Sequence, residues 1–303
     1  MDSEIFEELD EVDKSKDKHI QENLKLLNLK VQELRLEKVW QQFTEDGFHP
    51  ILIKGWATAL NYPNPAERLY VDVDLVFEDD EFVKAQEYIN QKTLGLAIDL
   101  HKGARHLDSL SFAELYQNSV LKPCGNTQIR VPSDEDHLRI LCVHWLNDGG
   151  AYKEKLWDIY HAVNNRGDDF DWNKCLNVVS EKRRKWVICA IALAHKYLNL
   201  PVENLPFKKE INNIPKWVIK TVEKEWATDV RLMPLHYYLR DKRQLWKQIK
   251  KRIPPNPIQA TIEVGGEFDN RPRIFYQIAD VFKRLLPSWK RISESLNFKR
   301  IKS

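Results

Sequence analysis

Three acids stand at spacings that suit a divalent cation. In RLYVDVDLVF (68–77), Asp72 and Asp74 are separated by one valine, and Asp99 follows in AIDLHK (97–102). Residues two apart on an extended chain project from one face, about 7 Å apart along the backbone. Carboxylates held so closely repel each other unless a cation neutralises them. Mg2+ prefers oxygen ligands, often one or two carboxylates together with substrate phosphates. A second metal about 3.5–4 Å away would let the same acids grip both the attacking and the leaving oxygen of a phosphoryl displacement. Solvated acids on a polar strand face produce the same pattern, and Asp99 beside His101 also reads as an ordinary surface acid. The three converge only if the two segments are neighbouring strands.

The elements around these acids are legible from periodicity. HIQENLKLLNLKVQELRLEKVWQQF (19–43) spaces Leu24, Leu27, Val31, Leu34 and Val39 as an amphipathic helix. ILIKG (51–55) reads as a short strand closed by a glycine, WATALN as one or two helical turns, and YPNPAE as a loop. In 68–77 the period is two: Leu69, Val71, Val73, Leu75 and Phe77 share one face, and Arg68, Tyr70, Asp72 and Asp74 the other. DDEFVKAQEYINQ predicts a helix capped by Asp79 or Asp80, and LGLAIDLHKG a further strand. Beyond Pro132, Ser133 and Asp136 form a capping box, and helical patterns run over 137–147, 152–165, 172–198, 216–226 and 235–251. The stretch 253–273 has no clear period, and a basic helix is expected from Ile274 onward, carrying or followed by Lys283, Arg284, Lys290, Arg291, Lys299, Arg300 and Lys302.

The expected architecture is α+β. Residues 1–18 form a frayed or disordered start, 19–132 a small mixed α/β domain, and 133–303 a helical domain. With 303 residues, two lobes are the default. Nearly balanced charge, net +2, does not mark a nucleic-acid binder. No apolar run approaches the roughly 18 residues a membrane span needs. The N-terminus is acidic and polar, unlike a signal peptide. Cys124, Cys142, Cys175 and Cys189 form no CxxC pair and read as reduced thiols of a cytoplasmic protein.

Together these residues resemble nucleotidyltransferases of the DNA polymerase β-like superfamily, which pair a glycine turn after one strand with Asp-x-Asp on the next and a third acid on a later strand. More narrowly, the chain is similar to a bacterial nucleotidyltransferase family described mainly as uncharacterised. The residues that carry the likeness are Lys54-Gly55, Ala57 to Leu60, Tyr62-Pro63 and Pro65, Arg68, Asp72-Val73-Asp74-Leu75, and Asp99-Leu100-His101. They span about 50–165. In place of the serine or second glycine common at the turn, this chain has Trp56.

The resemblance implies that Asp72, Asp74 and Asp99 hold Mg2+, one ion or two, and that the substrate is a nucleoside triphosphate, ATP or CTP. Lys54, Gly55, Trp56, Arg68, Lys153 and Asp158 would then line the nucleotide. A nucleoside monophosphate would pass to a hydroxyl on an acceptor that is a small molecule, sugar, protein or RNA. Two other readings stand beside this one. One is a nucleotide-binding or interaction protein that kept the fold and lost catalysis. The other is a toxin–antitoxin component acting on tRNA or protein.

Overall fold

The computed structural model describes residues 2–92, 94–103, 109–228, 230 and 232–284, with side chains from residue 19 onward. The fold is α+β, and the chain divides into two compact units. One comprises Met1–Ile140 with His161–Asp171, the other Leu141–Tyr160 with Trp172–Ser303.

The first unit carries all the strands among the described residues. Helix α1 (Asp2–Glu45) leads to β1 (Ile51–Leu52), a one-turn helix α2 (Trp56–Ala59), and β2 (Asp72–Phe77). Helix α3 (Asp79–Gln91) then crosses over to β3 (Ala97–Lys102). The sheet order is β1-β2-β3, with β1 antiparallel and β3 parallel to the central β2. Helix α4 (Phe112–Asn118), with a capping box at Ser111 and Glu114, precedes a hairpin of β4 (Val120–Cys124) and β5 (Thr127–Val131). The periodicity had not revealed this hairpin. Its two-residue turn, Gly125-Asn126, is pinned by Glu37, whose buried carboxylate accepts the Asn126 N–H at 2.7 Å. Helix α5 (Asp134–Asn147) starts where Ser133 accepts the Asp136 N–H, one half of the expected capping box, while the Asp136 carboxylate turns to Arg139 and Asn118.

Because β2 is central, both its faces are covered. Val73, Leu75 and Phe77 join Leu36, Val39, Trp40 and Phe43 of α1 in the larger core, while Val76 packs with Ile51, Ile53, Leu115 and Ile140 in a second cluster. Two readings of periodicity are corrected here. The α1 residues in the core are Leu36, Val39, Trp40 and Phe43, whereas Leu24, Leu27 and Leu34 are exposed and Val31 is at the border. Trp40 and Phe43 in the last turns, with Leu36 and Val39, form the face that packs. Period two also fails before Asp72. Leu69 and Val71 are exposed and Tyr70 is buried, because residues 68–71 form an irregular link from the 3-10 turn Pro65–Glu67 rather than strand.

The second unit is helical among its described residues. It contains α6 (Leu156–Asn164, shared with the first unit), α7 (Trp172–Leu176), α8 (Glu181–Leu198), α9 (Lys208–Ile211), α10 (Lys216–Trp226), α11 (Lys242–Arg252) and α12 (Pro257–Glu263). Two corrections arise here as well. The pattern over 172–198 is broken between α7 and α8, where Ser180 caps a new start. The aperiodic 253–273 holds α12, begun by Asn256, whose side chain accepts two amide hydrogens, with Pro257 in the first turn. Residues 274–284 are helical, and there Lys283 meets Glu263 and Arg284 meets Asp280. The other basic positions of the expected C-terminal helix lie outside the described residues. No described helix is long and apolar enough to cross a membrane.

All four cysteines are free and buried. Burial pushes the Cys189 thiol up to about 12. Burial, with Glu33 and Glu37 nearby, does the same for Cys124. Cys142 is raised well above its ordinary value, chiefly by burial. Since the thiolate is the reactive form, a thiol-modifying dye at pH 8 should label none of these cysteines in the native protein. All four should be labelled once the chain is denatured.

Candidate metal and nucleotide site

The site is a product of register. In the parallel ladder, Asp74 lies directly opposite Asp99 and Asp72 opposite Ala97, with Val76 opposite His101. Asp74, Asp99 and His101 therefore share the polar face of adjacent strands, and one donor atom from each lies within 4.8 Å of the others. The imidazole Nε2 of His101 is 2.9 Å from Asp74 Oδ1 and 3.7 Å from Asp99 Oδ2. From the other flank, the ammonium of Lys54 donates to the same Asp74 Oδ1 at 2.6 Å. Lys54 is held there by β1: the neighbouring Ile53 N–H donates to the backbone carbonyl of Asp74 at 3.0 Å.

The two carboxylates differ in environment. The Asp74 side chain is 9% exposed and that of Asp99 is 64% exposed. For Asp74, burial is the largest single influence and pushes its pKa upward. The His101 hydrogen bond and the Lys54 charge together outweigh it, so the carboxyl is held below its usual range. One acid is therefore fixed and kept ionised by its partners, while the other faces solvent, where an incoming group can reach it.

The glycine turn has a steric basis. Gly55 sits at φ +67° and ψ −114°, a region essentially closed to residues with a Cβ. A Cβ there would lie 2.7 Å from the Asp72 carbonyl oxygen. The turn is thus pressed against the start of β2, which brings Lys54 to Asp74. Gly55→Ala should cost about 2–3 kcal/mol, from backbone strain plus the overlap. Urea denaturation checks this, with a shift of less than about 0.5 kcal/mol as the contrary result.

Not all the expected residues gather at this point. Asp72 is exposed at the first position of β2 and lies outside the Asp74–Asp99–His101 cluster. Trp56 turns inward: its ring is buried in the larger core and its N–H donates to Glu33 at 3.2 Å. The Arg68 guanidinium donates to the Leu69 carbonyl at 2.7 Å. Lys153 and Asp158 belong to the second unit, the first over the Trp226 ring and the second buried. His101, absent from the expected site residues, lies between the two acids and pairs with both. The signal for it was its parity with Asp99, two residues away on the same strand.

Residues 84–199 match a family described as an uncharacterised nucleotidyltransferase. The matched stretch contains Asp99, His101, Lys153 and Asp158 and begins after Lys54, Gly55, Asp72 and Asp74. Among solved structures, the chain is similar to an antigenic nucleotidyltransferase-like protein from Paracoccidioides brasiliensis, at 12% identity and a TM-score of 0.36, covering 60% of this chain and 93% of that one. No curated protein matches the chain. The likeness to the uncharacterised nucleotidyltransferase family thus rests on residues 84–199.

Proposed function

We propose that the protein is a metal-dependent nucleotidyltransferase that moves a nucleoside monophosphate from a nucleoside triphosphate, ATP or CTP, to an acceptor hydroxyl. The observation that carries this reading is the register of β2 and β3, which sets Asp74 opposite Asp99 with His101 between them.

The donor set fits a divalent ion. Two carboxylates supply the hard oxygens that Mg2+ or Mn2+ prefers, and an imidazole nitrogen is acceptable to the softer of the two. Asp74 and Asp99 would hold the ion, and Asp72, two residues earlier on β2, would serve a second one or its water shell. When bound, the metal supplies charge neutralisation for the triphosphate and for the leaving pyrophosphate.

The chain's own residues do the rest by positioning and electrostatics. The exposed Asp99 carboxylate accepts the proton of the acceptor hydroxyl. The acceptor oxygen bonds to the α-phosphorus as the bond from that phosphorus to the bridging oxygen breaks, and pyrophosphate leaves with the electron pair. Lys54, Arg68 and the backbone of the Gly55 turn bind the phosphates. Trp56 offers no bulk to the site because its ring lies in the core, which removes the main steric reason for a binding-only protein.

The experiment is incubation of the protein with each α-labelled nucleoside triphosphate, Mg2+ and a cell extract. A labelled acceptor with equimolar pyrophosphate supports the reading. Nucleotide binding without pyrophosphate release over many acceptors would instead favour a protein that binds and does not transfer.

A further inference from the structure

We infer that Lys54 is an internal counter-cation of this site, which must leave Asp74 before a divalent ion can take that carboxylate, so that metal and nucleotide enter together. The inference rests on the reading of the site given above and concerns how that site is loaded.

Asp74 Oδ1 accepts from both the Lys54 ammonium at 2.6 Å and the His101 imidazole at 2.9 Å. All three side chains are largely buried, with Lys54 and His101 each 14% exposed. Magnesium binds carboxylate oxygen at about 2.0–2.1 Å, so an ion on Asp74 would come within about 4 Å of the ammonium if Lys54 stayed in place. At that range and in a poorly solvated site, the repulsion between a double and a single positive charge is several-fold stronger than in bulk water. Lys54 and the metal therefore compete for one carboxylate.

What can move is also clear. The Lys54 backbone is tied to β2 through the bond from the neighbouring Ile53 N–H to the Asp74 carbonyl, and through the Gly55 turn against Asp72. The freedom lies in its four-carbon stem, and an ammonium is a point charge that readily re-aims onto phosphate. A triphosphate brings both the anion that receives the ammonium and oxygens that complete the metal's shell. Metal alone brings only its water ligands and no anion to receive the ammonium. The consequence is a gate: free metal binds weakly, nucleotide makes it bind well, and each raises the affinity for the other by the same factor.

The test is Mn2+ binding followed by electron paramagnetic resonance on the full chain, without and with a non-hydrolysable ATP or CTP analogue, for the wild type, Lys54→Met and Lys54→Arg. Without nucleotide, Lys54→Met should bind Mn2+ about tenfold or more tightly than wild type, and Lys54→Arg no more tightly than wild type. Adding the analogue should tighten Mn2+ on the wild type by a similar factor, with a much smaller gain in Lys54→Met. Circular dichroism checks folding, and Lys54→Gln replaces the Met variant if that one unfolds. Equal Mn2+ affinity for the wild type and the neutral variant without nucleotide, or weaker binding by the variant, overturns the inference while leaving the transferase reading intact. No Mn2+ binding by any protein, with or without nucleotide, overturns both.

Discussion

Asp74→Asn should lower nucleotidyl transfer by about 1,000-fold or more, equivalent to about 4 kcal/mol of lost transition-state stabilisation. Asp74 is the point at which every element of the site meets. It lies opposite Asp99 in the ladder, accepts from His101 and Lys54, and has its backbone carbonyl bonded to Ile53. The amide keeps the shape of the side chain and an oxygen for His101. It loses the charge that neutralises Lys54 and that a divalent ion would require. Some stability should go with it, about 1–3 kcal/mol, because a mostly buried ammonium is left facing a neutral amide. Transfer rates with labelled nucleotide, alongside a denaturation curve, separate the two effects. Activity within tenfold of wild type in a folded variant would remove Asp74 from the chemistry.

The largest effect expected on stability lies elsewhere in the first unit. Asp136 and Arg139, one turn apart at the start of α5, form an ion pair in which both side chains are almost fully buried. The second carboxylate oxygen of Asp136 accepts from Asn118 at 3.2 Å. Removing one partner of such a pair strands an uncompensated charge, so Asp136→Asn should cost about 3–5 kcal/mol. Replacing both residues by leucine and methionine of similar volume should recover much of that loss. Because the pair is screened from solvent, the cost should change little between low and high salt. Urea unfolding of the three proteins measures it. A loss below about 1 kcal/mol for Asp136→Asn would mean that water reaches the pair.

The sequence was most informative where local chemistry and burial agree. Helix α3 was read over its observed span because its apolar residues keep one period between a strand and a loop, although its N-cap is Glu78 and not Asp79 or Asp80, and α10 because Pro215 stops the chain just before it. The acids of β2 and β3 were legible from alternation, since each strand has one polar position in two. Neighbourhood and register are long-range properties, so the sequence could not say that Asp99 falls opposite Asp74 while Asp72 falls opposite Ala97. The pairing of His101 was hidden for the same reason: its partner is an acid 27 residues away in the chain. The exposed leucine stripe of α1 misled because a helix with apolar residues on two faces gives one period and two possible buried sides. The β4–β5 hairpin escaped notice because its strands are short and carry Lys122, Gln128 and Arg130 among their apolar residues. Its Gly125-Asn126 turn is the local signal that could have revealed it.

We propose that the carboxylates set opposite each other on β2 and β3 hold a divalent ion together with a nucleotide. The most direct measurement is the affinity of the Mn2+ complex of a non-hydrolysable nucleoside triphosphate for the wild type and for Asp99→Asn, whose substitution is solvent-exposed and should leave the fold unchanged. Binding by the wild type that depends on Mn2+ and weakens about tenfold or more in Asp99→Asn is the expected result. Equal binding of the metal–nucleotide complex by the two proteins, or binding indifferent to Mn2+, would contradict the account.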